Sequence, residues 1–421
     1  ASVRDRPPCG RRGASGAECG RTVWANGWHS GAAGPVPEGR GRINEEGIAF
    51  YNRVIDCCLE NGVVPNVTLF HYDLPQALAA QGGWANREIV EAFAEYAEVC
   101  FKAFGDRVKL WVTINEPKYY AYCSNIVGNY PPNHKLDFDR YFNTLYHEAL
   151  ASAKAVAVYR KLNQDGRIGI VHDSSNVEVA PQTKHPQRIR MIADLFYNKL
   201  ILDCAIKGEL PGALLPWLNE NGIDTSYVRF EDALTLAEGK VDFLGLNVYN
   251  RFYITDYSEG ETEVFHNNRG AGSAAKEGIR IKNWYETTID PSTKRNLWGR
   301  EIYPRCMLNT LREIRERYGD IDVYITENGH GCYETPDENG IVQDDERIEM
   351  MQGYIDYMFR AMEEGCPVRG YYAWSTMDLY SWVNGYEKRY GLVRVDFEDN
   401  CRRIPKKSYG WYKQLIEDFQ K

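Results

Sequence analysis

Two glutamates stand directly after short runs of strand-forming residues, Glu116 in TINEP (113–117) and Glu327 in ITENG (325–329). Two carboxyls facing each other across a pocket can cleave a glycosidic bond: one protonates the leaving oxygen while the other meets the oxocarbenium-like centre developing on the sugar. Polar or aromatic residues close other runs of the same kind, namely His71, Asn115, Asn247, Tyr249 and Trp374. Near the C-terminus, the stretch from Trp374 to Phe397 crowds rings and charges together, among them Ser381, Trp382, Lys388 and Tyr390.

Holding such groups at one edge takes a particular framework. The runs at 66–72, 108–116, 167–174, 241–249, 322–329 and 368–375 are rich in β-branched and aromatic residues and read as buried strands. Amphipathic helical patterns lie between them, as at 86–104 and 305–319. Alternation of strand and helix over most of the chain predicts a parallel sheet wrapped by helices. The reactive residues fall at the C-terminal ends of the strands, the edge at which a (β/α)8 TIM barrel carries its active site. A doubly wound open sheet is the alternative, but no GxGxxG follows an early strand to support it. Residues 1–34, rich in Gly, Arg and Ala, show neither strand nor helix period. With only six convincing strands, either residues 1–34 supply the missing ones without a clear pattern or the barrel is incomplete.

Composition narrows the function classes. Among 421 residues, 43% are hydrophobic and 26% charged, close to an ordinary globular chain. A net charge of −9 argues against nucleic acid or an anionic membrane as partner and leaves any anion site to be local. No apolar run is long enough to span a bilayer and no signal peptide is recognisable, so a cytoplasmic location is expected. Eleven scattered cysteines form neither a paired framework nor a CxxC metal site, which suits reduced thiols. The sequon at Asn66 lies inside an expected buried strand and is not read as a glycan acceptor.

HYDLP (71–75), TINEP, DFLGLNVY (242–249), ITENG and YYAWSTMD (371–378), in this order along the chain, resemble glycoside hydrolase family 1, the β-glucosidase and 6-phospho-β-glycosidase family. The likeness runs from PEGRGRINEEG (37–47) to PKKSYGWYK (405–413), and 35–421 is expected to be one barrel domain, with 1–34 outside the family pattern. It implies a (β/α)8 barrel that hydrolyses β-glycosides with retention and without metal or cofactor. By motif, Glu116 would be the general acid/base and Glu327 the nucleophile. Tyr249 would hydrogen-bond Glu327 and keep it ionised, and Glu116 would be raised by its negative neighbour. Asn115 would hold the sugar 2-hydroxyl and His71 another ring hydroxyl, over a floor formed by Trp374; Asn247 belongs to the same constellation.

Ser381 stands where the family's plain glucosidases carry a glutamate for the sugar 4- and 6-hydroxyls. With Lys388 and Tyr390 it resembles the phosphate cradle of the 6-phospho branch. Trp382 is similar to the tryptophan of 6-phospho-β-galactosidases, which favours a galactose 6-phosphate glycone over a glucose one. Tyr72 replaces the tryptophan of the common HWDLP form. The family's first two strands carry a sugar-binding glutamine and an arginine beside the nucleophile, and neither motif is found before residue 35. Loss of the arginine should narrow the pKa split between Glu327 and Glu116, and open strand edges should favour a homo-oligomer or another partner. Three readings stay open: a 6-phospho-β-glycosidase, an unphosphorylated β-glucosidase or β-galactosidase, and an inactive sugar-phosphate-binding remnant. The polar segment 256–296 is expected to be a loop on the pocket rim.

Overall fold

The structure, a computed structural model, describes residues 21–26 and 34–419 apart from 175, 267–276, 297–298 and 384. Among them one sheet has seven strands: β1 (Arg21–Asn26), β2 (Val63–Phe70), β3 (Leu110–Asn115), β4 (Arg167–Asp173), β5 (Phe243–Asn247), β6 (Asp322–Asn328) and β7 (Val368–Ala373). They lie side by side in chain order and every neighbouring pair is parallel. This is the winding of a (β/α)8 barrel, with β1 and β7 at the edges of the sheet. All six expected strands form. Of the two alternatives left open, the segment 1–34 does supply a strand despite its weak pattern: Arg21–Asn26 pairs residue for residue with Val63–Thr68. Ladder bonding to an existing edge needs only backbone groups, so a weak side-chain pattern does not prevent it.

Helices α1 (Glu45–Glu60), α2 (Glu88–Phe104), α3 (Phe138–Lys161), α4 (Arg305–Tyr318), α5 (Asp345–Glu363) and α6 (Lys407–Phe419) punctuate the strands. In α2 the buried residues Ile89, Phe93, Tyr96, Cys100 and Phe104 recur at helical spacing, so one stripe faces the sheet. The Asp137 side chain caps α3 by accepting from the Arg140 N–H at 3.0 Å. Inside the sheet's curve, Val112, Val171 and Phe243 pack with Leu110 and Tyr324. Gly169 makes room there, since a Cβ at that position would come within 2.5 Å of the Phe243 ring.

The segment 256–296 departs from the loop expected of it. Its strands Glu263–His266, Glu277–Ile281 and Tyr285–Thr287 join Arg251–Thr255 and Asn176–Val179 in a second, five-stranded sheet. It still borders the pocket, through Phe265, Ile279, Arg280 and Ile289. Alternation in the run Gly278–Ile281, in which Ile279 and Ile281 are buried, outweighs the polar loop signals around it. Asn66 is 1% exposed within β2, out of reach of glycosylation. The cysteines among the described residues are free thiols. No helix among the described residues is long and apolar enough to cross a membrane.

Candidate active site

A cavity of about 1210 Å³ opens at the C-terminal edge of the main sheet and is lined by His71, Glu116, Asn247, Tyr249, Glu327, Trp374, Ser381, Trp382 and Tyr390. Strand ends converge there because a parallel sheet sends all its C-termini to one side. Glu116 follows β3 directly, in a left-handed conformation (φ 48°), and Pro117 then starts a short helix, Pro117–Tyr122. Such backbone in a non-glycine residue is uncommon and marks a side chain whose direction is imposed by its surroundings. Glu327 lies within β6. Gly329 follows because a Cβ there would meet the Trp374 carbonyl oxygen at 1.9 Å, so β6 and β7 approach where the tryptophan leaves the sheet.

Each glutamate is held by polar neighbours. Asn247 Nδ2 donates to Glu116 Oε1 at 2.6 Å, and Thr326 Oγ1 fixes the Asn247 amide by donating to its Oδ1 at 2.6 Å. The same Nδ2 lies 3.3 Å from Asn115 Oδ1, and Asn115 Nδ2 lies 3.2 Å from His71 Nε2. Tyr249 donates to Glu327 Oε2 at 2.7 Å. The Tyr72 hydroxyl donates to Glu116 Oε2. His71 stacks on Trp374 with ring centres 6.2 Å apart.

Burial is the largest influence on both carboxyls and opposes charge on each. Glu116 is pushed up to about 7, with the Asp173 carboxylate adding to burial and donors from Tyr72 and Asn247, with Lys118, working against it. Glu327 is held well above the usual carboxylate range by burial and by Glu116, and Tyr249 and Asn247 only partly offset this. Burial thus raises both carboxyls rather than Glu116 alone. A buried anion needs a positive partner to keep its pKa down, and among the described residues no cation is one of the main influences on Glu327. His71 is lowered to about 4 by burial and is neutral at pH 7.

Not every expected residue reaches the cavity wall. Asn115 is fully buried and serves as the link between His71 and Asn247. Ser381 and Tyr390 line the cavity, and Trp382 stands half exposed at its mouth. Lys388 is 2% exposed and is not part of the wall. The lining residues overlooked in the sequence include Asp173 and Lys118, which form a largely buried ion pair beside Glu116. Asp173 ends β4, so the rule that picked out Glu116 and Asn247 could have found it. Lys118 carries no such signal.

Residues 35–420 match the model of Glycosyl hydrolase family 1. The chain belongs to this family. Family 1 relatives include a 6-phospho-beta-galactosidase of Clostridium acetobutylicum, 36% identical over 90% of this chain and 80% of that protein. The 6-phospho-beta-glucosidase GmuD of Bacillus subtilis is 37% identical over 91% of this chain and 80% of its own length. Among solved family 1 structures, the β-glucosidase from Thermotoga maritima in complex with castanospermine superposes with a TM-score of 0.80. It is 34% identical, with 94% of this chain and 82% of that one covered. The protein is therefore a family 1 glycoside hydrolase with the (β/α)8-barrel fold, acting on β-glycosides.

Proposed function

We propose that this family 1 enzyme hydrolyses β-glycosides of 6-phosphorylated sugars, galactosides ahead of glucosides, with retention of anomeric configuration. The observation carrying this reading is that Ser381 and Tyr390 share one cavity wall with Glu116 and Glu327. A neutral hydroxyl at 381 removes the repulsion that a carboxylate would exert on a phosphate, and Tyr390 adds a hydroxyl donor. Lys388, buried in the same loop, is the cation this cradle would draw on.

In the first step the Glu327 carboxylate attacks the anomeric carbon while Glu116 gives its proton to the departing oxygen, leaving a glycosyl-enzyme ester. In the second, Glu116 takes a proton from water, which attacks the same carbon and releases Glu327. Each step uses only protons and carboxyl oxygens, and no metal or cofactor is called for. Asn247 donates to Glu116 and favours the anion on Glu327 as well, so one amide serves both steps. Trp374 offers the sugar an apolar face and His71 a neutral polar edge.

The burial of Lys388 favours a second reading, an enzyme for unphosphorylated β-glycosides, and the raised Glu327 favours a third, a site that binds sugar phosphate without turning it over. Turnover of o-nitrophenyl β-galactoside 6-phosphate is to be measured beside its unphosphorylated counterpart, with Glu327→Gln as control. The expected result is a rate that requires both the phosphate and Glu327. An equal rate on the plain galactoside supports the second reading. Absence of turnover on both by folded protein, with galactose 6-phosphate still bound, supports the third.

A further inference from the structure

We propose that Tyr72 is a positioning residue for the proton-transferring carboxyl: its hydroxyl holds Glu116 toward the leaving oxygen and steadies the anion left once the proton has gone. This rests on the assignment of Glu116 as acid/base made above. The Glu116 carboxyl is gripped on both oxygens, by Tyr72 on Oε2 and by Asn247 on Oε1. One donor lies two residues past the end of β2 and the other ends β5, so the plane of the carboxyl is set from two separate strand ends.

The backbone shows how firmly this contact is imposed. Tyr72 itself is left-handed, with φ 79°, an outlier for so bulky a residue, and it bonds a glutamate that is also left-handed. Its ring is wedged among His71, Tyr119, Tyr120, Tyr130 and Trp382, with centres 4.7 to 6.3 Å away. A phenylalanine would satisfy that packing equally well. The hydroxyl is the part that packing does not require, and it is the part that meets Glu116.

During the first step the proton travels from Glu116 to the glycosidic oxygen as the C–O bond breaks, and Tyr72 keeps its own proton throughout. Asp173, Glu327 and the hydroxyl groups of Tyr130 and Tyr249 also act on or answer to the charge of Glu116, as does Lys118. Of these only Lys118 is a cation, and it is already paired with Asp173. Donation from Tyr72 therefore matters most when Glu116 is ionised, and it favours that form.

Tyr72→Phe tests this on whichever galactoside, phosphorylated or plain, the wild type turns over. Two aglycones are compared: 2,4-dinitrophenolate, which leaves without a proton, and an alkyl alcohol, which needs one. The alkyl substrate should lose about tenfold or more in kcat/KM and the dinitrophenyl substrate about twofold or less, because only the former draws on the acid. The alkaline limb of kcat/KM should move up by about half a pH unit or more, since a donor to the anion has been removed. In a Glu116→Gln background Tyr72→Phe should add no further loss. Equal losses on both aglycones with an unmoved limb would overturn the proposal.

Glu116→Gln alone separates the two levels: if it spares the alkyl substrate, the acid/base assignment itself is wrong. If it abolishes that activity while Tyr72→Phe moves nothing, only the role of Tyr72 is wrong. Should Tyr72→Phe fail to fold, 3-fluorotyrosine at position 72, nearly isosteric and a stronger donor, should move the limb down, and no movement would again overturn the proposal. The carboxyl carbon-13 resonance of Glu116 in glutamate-labelled protein reports the same shift without turnover, so an inactive chain is tested equally.

Discussion

At the scale of single residues, the chemistry depends on where one proton sits. Hydrolysis needs Glu116 protonated and Glu327 ionised together, yet burial raises both. Such a pair titrates as a unit, and activity should be confined to the pH window in which it holds a single proton. Residue 381 should decide the glycone. Replacing Ser381 by Glu sets a carboxylate where a 6-phosphate would lie, and one such like-charge contact is worth on the order of 1.4 kcal/mol or more, a tenfold loss. The ratio of kcat/KM for phosphorylated over plain galactoside should therefore fall at least about tenfold in S381E, and an unchanged ratio would remove Ser381 from the phosphate site.

At the scale of elements, the loops that carry the site are fastened by one buried cationic cluster. Arg347 on α5 donates to the carbonyls of His330, Arg389 and Tyr390 and pairs with Asp344 and Glu334. Lys406 pairs with Glu334 at 2.6 Å and Asp378 at 2.9 Å, and Ser408 closes the set on Asp344. The segment after Glu327, the loop bearing Ser381 and Tyr390, and the start of α6 are thus tied to one guanidinium. Breaking a buried pair leaves its partners uncompensated, at a cost of about 3–5 kcal/mol. Arg347→Met should lower the urea midpoint by a corresponding amount and abolish turnover, whereas loss of turnover with an unchanged midpoint would show that the cluster does not support the fold. In the sequence these residues look like ordinary surface charges, because apart from Asp344, three positions from Arg347, the charged partners joining the loops lie 13 to 72 positions away.

At the scale of the whole molecule, buried titratable groups set how stability varies with pH. His71, His147 and His172 are each lowered to about 4 by burial. A lowered histidine takes up its proton more readily unfolded, so its contribution is lost as pH falls from about 6.5 toward 4. Glu116, Glu148 and Glu327 are raised, and their contributions are lost as pH rises from the usual carboxylate range through their folded values. The two sets oppose each other between about pH 4.5 and 6.5, and above that only the glutamates act. Stability should therefore peak below neutrality and decline into the alkaline range. Glu148 is fully buried on α3 with neither carboxyl oxygen hydrogen-bonded. Glu148→Gln should flatten the alkaline decline in urea midpoints from pH 7 to 9 without altering the pH–rate profile, and an identical decline would refute the assignment.

The strand-and-helix alternation and the placing of Glu116, Glu327, Asn247 and Tyr249 at one edge could be read from residue order alone. Each rests on local periodicity, and a parallel sheet turns strand ends into neighbours whatever the sequence separation. The grip of Tyr72 on Glu116, the ion pair beside it, the burial of Lys388 and Asn115, and the added strand at Arg21–Asn26 were decided by tertiary structure. Those features depend on which groups lose water together and which backbone edge is left open, and both are properties of the packed chain.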